Sequence, residues 1–411
     1  MAETTQVDRR KLLSTRADSP PGANRKRTDV AQGDLQRLLK SAGSAEKKLV
    51  ALTRELVEVE SPSDSKPAVD ACVSLVEEKV LGLGGRSRRH RQGDFGDLLE
   101  ARFGPRRGAR RPVLLLGHLD TVWPLGTLPN MPFRVGNGRL WGPGVLDMKA
   151  GVAMALTALE ILEQHSLLNR PVIVLLNSDE EIGSECSRPL TEKLAAECDA
   201  VYVMEPAQGI DGAYKTSRKG VGNYTVRVRG VAAHSGLDFE RGHSAIGELA
   251  RQIERIASFT DLSRGITVNA GVIGGGTRSN VVAAEAFAEI DVRIARKADA
   301  RKIEKRFRSL SVIDSGCQLK VEGGLNRPPM ERTPGTTALF RRAATLARAM
   351  GFSLQEASTG GGSDGNFTSA LGVATLDGMG AVGEGAHADH ESLLVEHLAP
   401  RTALLAAMVT N

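Results

Sequence analysis

Histidine and carboxylate side chains recur at the ends of apolar runs in this sequence. The runs with their terminal residues are PVLLLGHLD (His118, Asp120), RPVIVLLNSDEE (Glu180, Glu181) and DAVYVMEP (Glu205). Taken singly, such residues are ordinarily structural or solvated, but charges directly after buried strands are unusual. Together they predict one crevice dense in negative charge, which is costly unless cations neutralise it. Imidazole and carboxylate ligands without thiolate favour zinc, with manganese or cobalt as alternatives.

Two further residues of the same types stand apart from these runs. Asp147 lies between glycines in WGPGVLDMKAG, where the backbone can turn tightly near a ligand. Asp147 could equally act as the N-cap of the following helix. His387 lies in GAHADHE near the C-terminus, with His390 as an alternative ligand three residues later. His387 is the better candidate because it follows the glycine segment directly.

The elements that must position these side chains are buried strands and the helices between them. Each apolar run has the pattern of a strand buried on both faces, and residues 67–82 and 147–165 have helical spacing. This alternation predicts an α/β domain with a mixed, largely parallel sheet. The carboxyl ends of its strands would meet at one edge, where sites form in such sheets.

The pattern changes after about residue 213, where polar and apolar residues alternate as in half-exposed antiparallel strands. Helices are predicted at 243–258 and near 298–310, with strands before, between and after them. This β-α-β-β-α-β order predicts a ferredoxin-like α+β domain. We therefore expect an inserted domain at 213–327 that interrupts a catalytic domain at 44–212 and 328–411. The polar residues 1–43 predict a disordered basic tail.

Composition limits the other classes of function. Net charge is +5 over 411 residues, and the basic excess lies in the tail and in the run Arg86 to Arg111. Both predict solvated surface and no nucleic-acid partner, because few aromatic residues accompany them. Four cysteines without ligand spacing predict free thiols in a reducing compartment. The sequence shows no signal-peptide core and no span-length apolar run, so we expect a cytoplasmic protein with no membrane partner.

Seven motifs in order resemble those of the M20 metallopeptidases, particularly the glutamate carboxypeptidase branch. The motifs are GHLDTV, GPGVLDMKAG, SDEEIGS, MEP, KTSRKGVGNYTVRVRGVAAHSG, GGGSDGNFT and GAHADHE. The similarity covers roughly residues 45–411. It implies a phosphorylase/hydrolase-like catalytic domain, and an inserted lid domain through which the protein forms a homodimer.

The resemblance also implies two divalent metal ions in each subunit, most simply zinc. Asp147 would bridge the two ions. His118 and Glu205 would complete one site, and Glu181 and His387 the other.

The remaining implied roles concern the proton and the substrate. Glu180 would take a proton from the metal-activated water and pass it to the leaving nitrogen, and Asp120 would orient His118. His234, in AAHSG, would stabilise the oxyanion, either in its own subunit or across the dimer. The implied substrate contacts are Arg293, whose guanidinium matches a carboxylate, and Asn280, Gly360, Gly361 and Gly362.

The expected function is release of a C-terminal acidic amino acid from a small N-acyl amino acid or peptide. A deacylase or aminohydrolase of acetylornithine, succinyl-diaminopimelate or aromatic amide type remains an alternative with the same metal core. An inactive binding protein on the same fold is an alternative of another class. Glu180 and the full ligand set argue against it, because a binding protein has no chemical need for either.

Overall fold

The computed structural model describes residues 30–106 and 110–410. The helices are α1 (Gln32–Glu58), α2 (Lys66–Gly82), α3 (Ala150–Gln164), α4 (Arg188–Ala196), α5 (Ala245–Ala257), α6 (Lys297–Arg308), α7 (Pro334–Ala349), α8 (Gly365–Ala370) and α9 (Leu398–Thr410). The strands are β1 (Arg86–His90), β2 (Leu98–Phe103), β3 (Val113–His118), β4 (Arg134–Gly136), β5 (Arg139–Trp141), β6 (Val172–Asn177), β7 (Ala200–Val203), β8 (Tyr214–Arg218), β9 (Gly220–Arg229), β10 (Thr267–Gly275), β11 (Glu285–Ile294), β12 (Gln318–Arg327), β13 (Glu356–Thr359), β14 (Ala374–Leu376), β15 (Gly383–Glu384) and β16 (Ser392–Leu394).

The central sheet has the strand order β1-β2-β6-β3-β7-β14. Strands β6, β3, β7 and β14 are parallel, whereas β1 and β2 pair antiparallel at one edge. Every residue of β3 and β6 is buried, and successive side chains enter different cores on the two faces. The mixed, largely parallel sheet predicted from the sequence is confirmed.

Helix α1 begins at Gln32, inside the segment 1–43 that was predicted to be a disordered tail. Leu35, Leu38 and Ala42 are buried at helical spacing, and α1 packs on helix α9, in which every residue except Pro400 is buried. The predicted disordered tail was therefore too long, because residues 32–43 gain an apolar partner that is distant in sequence. Residues 1–29, which hold the rest of that tail, lie outside the described residues.

The Arg-rich run forms the strands β1 and β2, which the sequence did not predict. Arg86 and Arg88 are exposed on β1, whereas Leu98 and Leu99 of β2 are buried. Charged residues on an edge strand oppose pairing with another sheet. Among the described residues, no helix is long and apolar enough to cross a membrane.

The lid domain is the antiparallel sheet β10-β11-β9-β12 with α5 and α6 on one face. Strand residues alternate, so that Tyr224, Val226 and Val228 enter a core of their own. In that core the rings of Tyr224 and Phe307 stack with centroids 3.8 Å apart. The predicted ferredoxin-like unit is confirmed.

The chain enters and leaves the lid at adjacent points. The Arg218 N–H donates to the Met330 carbonyl at 2.9 Å, and the Met330 N–H donates back at 3.1 Å. Strand β8 pairs with β13 of the catalytic domain, so the lid sheet begins at Gly220, later than the predicted boundary at residue 213. The lid therefore interrupts a discontinuous catalytic domain.

Candidate metal centre

The five predicted metal ligands lie at the carboxyl edge of the central sheet, although different elements carry them. They are His118 at the end of β3, Asp147 in the turn before α3, Glu181 in the turn after β6, Glu205 after β7 and His387 between β15 and β16. Asp147 does not start the helix as predicted, because α3 begins at Ala150 and Asp147 has non-helical φ and ψ. The structure brings all five side chains together.

Asp147 lies between the two histidines. Its Oδ1 is 3.3 Å from His118 Nε2, and its Oδ2 is 3.5 Å from His387 Nε2. One carboxylate therefore presents a separate oxygen to each imidazole, which is the arrangement that a bridging ligand requires.

A second carboxylate accompanies each histidine. Glu205 Oε1 is 3.6 Å from His118 Nε2, and Glu181 Oε2 is 3.1 Å from His387 Nε2. The alternative histidine, His390, is two-thirds exposed and pairs with Asp389. The geometry thus gives two groups that share Asp147, with His387 in the second.

Glu180 is close enough to the cluster to be a ligand itself. It forms a group with His118 and Glu205 whose possible ligand atoms all lie within 4.8 Å of one another. However, Arg327 Nη2 holds Glu180 Oε1 at 2.8 Å, and Glu180 also lines the adjoining cavity. This position suits a carboxylate that handles protons beside the metals.

The cluster fits cations because several of its buried atoms lack partners. His118 Nε2, Asp147 Oδ1 and Glu181 Oε1 have no hydrogen-bond partner within residues 30–106 and 110–410. Buried polar atoms are otherwise almost always satisfied, and hard or borderline cations bind nitrogen and carboxylate oxygen together. These three atoms point to metal ions as the missing partners.

Burial and mutual repulsion shift the protonation of the cluster. Burial raises the pKa of Glu205 to about 7, and the charge of Asp147 adds to this effect. Burial also raises the pKa of Glu180 well above its ordinary value, against the opposing charge of Arg327. Hydrogen bonds to Asp147 and Glu181 raise the pKa of His387 to about 10. Protons therefore compete with metal ions for these side chains.

Asp120 connects the predicted base and one ligand to His118. Its carboxylate accepts hydrogen bonds from the backbone N–H groups of Glu180 and Glu181 at 3.3 and 3.1 Å, and from Ser63 Oγ at 2.7 Å. Its carbonyl oxygen lies 3.0 Å from His118 Nδ1. Asp120 is thus placed to fix the tautomer of His118, since an Nδ1–H that donates here leaves Nε2 free.

A cavity of about 480 Å³ opens beside the cluster and extends to the lid. Arg293, Gly361 and Gly362 line it, and Arg293 Nη1 is 3.5 Å from the Gly360 carbonyl. Arg293 also pairs with Asp291 at 2.8 Å. Of the predicted substrate contacts on β11 and in the glycine loop, Arg293, Gly361 and Gly362 therefore share this cavity with the candidate ligands, whereas Gly360 does not line it.

Two predicted residues lie elsewhere. His234 and Asn280 are exposed on the lid, where the Ser235 N–H donates to the Asn280 carbonyl at 3.1 Å. Neither residue lines the cavity of its own chain.

Three residues near the centre were missed in the sequence. Arg327 contacts Glu180, Arg218 lies 3.5 Å from Glu205 Oε2, and Glu391 accepts from the Asp147 N–H. Glu391 was within reach of the sequence, since it is the last residue of GAHADHE. Arg218 was also within reach, since it lies in KTSRKGVGNYTVRVRGVAAHSG, whereas Arg327 carried no such signal because its partner Glu180 is distant in sequence.

Comparison with known proteins agrees with this geometry. The model of peptidase family M20/M25/M40 matches residues 114–411. The chain belongs to this family. Carboxypeptidase G2 from Pseudomonas sp. (strain RS-16) is 28% identical to this M20 chain over 388 residues, which is 92% of each protein. Succinyl-diaminopimelate desuccinylase from Cereibacter sphaeroides is 27% identical over 86% of this chain and 96% of its own length.

The fold is shared with solved M20 structures. A dinuclear metal binding M20 peptidase from Bacillus subtilis matches with a TM-score of 0.65 and 16% identity, covering 90% of this chain and 98% of that one. The M20 chain described here is a metallo-hydrolase with candidate ligand groups for a dinuclear centre.

Proposed function

We propose that this M20 enzyme is a two-zinc hydrolase that releases a C-terminal acidic amino acid from an N-acyl or peptidyl substrate. The observation that carries the proposal is the position of Asp147 between two histidine–carboxylate groups, beside a cavity that Arg293 also lines. The similarity to carboxypeptidase G2 over nearly the whole chain supports it. The four free cysteines support a cytoplasmic location, which stays a prediction.

The residues of the chain divide the chemistry between them. His118, Asp147, Glu181, Glu205 and His387 would hold two cations, which supply a polarised water and an electrophilic scissile carbonyl. Glu180 accepts the proton of the attacking water and then donates it to the leaving nitrogen. Arg293 binds the carboxylate of the departing amino acid with two parallel hydrogen bonds. Gly361 and Gly362 line the same cavity, where the lack of side chains permits close approach of a ligand.

His234 requires a second subunit if it is to reach this chemistry. Strand β10 is an edge of the lid sheet, and Val272, Ile273 and Ile246 on this side of the lid are exposed apolar residues. Burying this face against a second copy would stabilise a homodimer, with His234 and Asn280 presented to the partner's cavity.

A mixing experiment tests the action of His234 in trans. His234→Ala and Glu180→Ala subunits are each expected to be inactive, and exchange between them creates one intact site in each mixed dimer. Recovery of activity on mixing supports the proposal. Absence of recovery after confirmed subunit exchange rejects it.

A deacylase function is the second candidate, favoured by the similarity to the desuccinylase. A succinyl group places a carboxylate on the acyl side, and Arg293 could bind that carboxylate as well. In both functions the guanidinium of Arg293 binds a substrate carboxylate. The functions differ in whether that carboxylate lies on the acyl side or on the amine side of the amide.

A substrate panel with metal analysis separates these candidates. The zinc-loaded protein is assayed on N-acyl-Glu, N-acyl-Asp, folate-type amides, N-acetylornithine, N-succinyl amines and dipeptides. We expect two metals per chain, the highest kcat/KM for acidic C-terminal residues, and loss of activity on chelation. Preference for N-acetylornithine or N-succinyl amines would establish the deacylase instead. Full activity after exhaustive chelation would contradict both.

A further inference from the structure

Glu391 is a fully buried carboxylate that accepts four hydrogen bonds. Its Oε2 accepts from the Gly144 N–H at 2.8 Å and from Trp123 Nε1 at 2.9 Å. Its Oε1 accepts from the Leu146 N–H at 2.8 Å and the Asp147 N–H at 3.0 Å. Three of the four donors are backbone groups of the turn that carries Asp147.

This turn depends on Glu391 for its conformation. Asp147 and Met148 have non-helical φ and ψ, so the backbone here does not continue the ladder of α3. A buried N–H without an acceptor is destabilising, and Glu391 supplies the acceptor to three such groups.

The same side chain belongs to the segment that carries His387. The Ala388 N–H donates to Gly385 and the Glu391 N–H to Ala388, which makes residues 385–391 a tight loop. Strand β16 continues directly from Glu391 and pairs with β5. Within this loop His387 has a φ of 63°, a conformation that non-glycine residues adopt only where their surroundings hold them.

We propose that Glu391 is a positioning residue that sets the distance between Asp147 and His387, and thereby the affinity of the centre for its second metal ion. The inference rests on the proposed dinuclear function. Glu391 itself is no ligand in this proposal, because both its oxygens are occupied by the four donors. It acts through the two ligand-carrying segments that it joins.

The lid offers a matched control carboxylate. Glu248 is also fully buried and also accepts four hydrogen bonds, from Ile313 N–H, Asp314 N–H, Gln252 and Arg251. It matches Glu391 in burial and in the number of donors, but none of its partners is a proposed metal ligand. A Glu→Gln change at either site replaces an acceptor oxygen with an amide NH₂ facing N–H donors.

The test compares Glu391→Gln with Glu248→Gln in the full chain. Metal-free protein is titrated with Zn²⁺ against a chromophoric chelator, Co²⁺ absorption reports ligand geometry, and urea unfolding gives the stability without metal. We expect Glu391→Gln to lower the affinity of one metal site by about 10–100-fold and to alter the Co²⁺ spectrum. Substitutions of residues that hydrogen-bond to metal-ligand segments typically have effects of this size. Glu248→Gln should lose stability and keep wild-type metal affinity and spectrum.

Wild-type affinity and an unchanged Co²⁺ spectrum in Glu391→Gln, with lower stability alone, would overturn the inference. If Glu391→Gln does not fold, Trp123→Phe removes a single donor from a partly exposed side chain and is expected to weaken the same site by a smaller factor. Unchanged affinity in that variant would equally reject the proposal. The substrate proposal is decided separately, since wild type could bind two metals and still prefer another amide.

Discussion

Two buried carboxylates, Glu248 in the lid and Glu205 in the catalytic domain, have pKa values that are shifted in opposite directions. In the lid, burial tends to raise the pKa of Glu248, but hydrogen bonds from Gln252 and two backbone N–H groups outweigh it and lower the pKa to about 2. In the catalytic domain, burial and the neighbouring Asp147 raise the pKa of Glu205 to about 7. Donors surround Glu248 in the lid, whereas the carboxylates of the proposed metal centre lie close together and include buried atoms without hydrogen-bond partners among the described residues. The first arrangement stabilises the protein, whereas the second would be stabilised by bound cations.

The strongest test of this contrast is the removal of the proton acceptor. Glu180→Gln should lower kcat by about 10²–10⁴-fold, because general base catalysis is lost while the metal ligands remain. Metal content, measured on the same preparation, should stay at two per chain. Glu248→Gln is the control and should keep wild-type kcat. Substantial turnover by Glu180→Gln would remove Glu180 as the base.

The next largest effect is expected at the substrate carboxylate. Arg293→Met should raise KM for acidic substrates by about 10–100-fold, the value of a charge-assisted hydrogen-bonded pair. KM for the corresponding carboxamides should change little.

Asp291→Asn is the matched variant for this prediction, since Asp291 competes with the substrate for the same guanidinium. Its KM for acidic substrates should stay the same or fall. Equal effects of Arg293→Met on acids and amides would reject a carboxylate site at Arg293.

On the lid side, Glu248→Gln should destabilise the protein by about 1–3 kcal/mol near neutral pH, because buried N–H donors lose their acceptor. The folded pKa of about 2 lies below the ordinary value of 4.5, so the carboxylate stabilises the protein above pH 4.5. This contribution is lost as the pH falls toward about 2. Urea unfolding at several pH values should show a smaller acid dependence in the variant than in wild type.

The smallest expected effect has the opposite sign. The folded pKa of Glu205 is raised from 4.5 to about 7, so between these values the native state keeps a proton that the unfolded state has lost, and the protein loses stability as the pH rises across this range. In metal-free protein, Glu205→Gln should therefore be neutral at pH 5 and stabilising by about 1 kcal/mol at pH 8. Arg218 keeps its partner Asp377 in this variant. Destabilisation at pH 8 as large as that of Glu248→Gln would end the contrast between the two domains.

Much of this architecture was predictable because burial leaves a pattern in the sequence. Strands β3, β6 and β7 are apolar except for the terminal His118 and Asn177, since both faces of a parallel sheet are covered. The lid strands alternate because only one of their faces is covered. Strand β1 was missed because Arg86 and Arg88 face solvent at an edge, where no apolar residue is required. Residues 32–43 were assigned to the tail because helix α9, the partner that buries their apolar side chains, is distant in sequence.

The site divides in the same way. The proposed ligands follow buried strands or glycine turns, so their positions could be inferred from local sequence. Arg327 meets Glu180 only because the lid returns the chain to the catalytic domain at the end of β12. Such contacts form when segments that are distant in sequence pack together, so no local sequence pattern predicts them.

The paired backbone hydrogen bonds between Arg218 and Met330 hold the two ends of the lid domain together, so that both chain junctions lie at one place. A domain whose two junctions lie together can be replaced as a unit during evolution, because the junctions are preserved when the residues between them change. Arg293 belongs to the lid domain, whereas the proposed metal ligands belong to the catalytic domain. A lineage could thus acquire a new substrate preference by remodelling one appendage while inheriting its hydrolytic core unchanged.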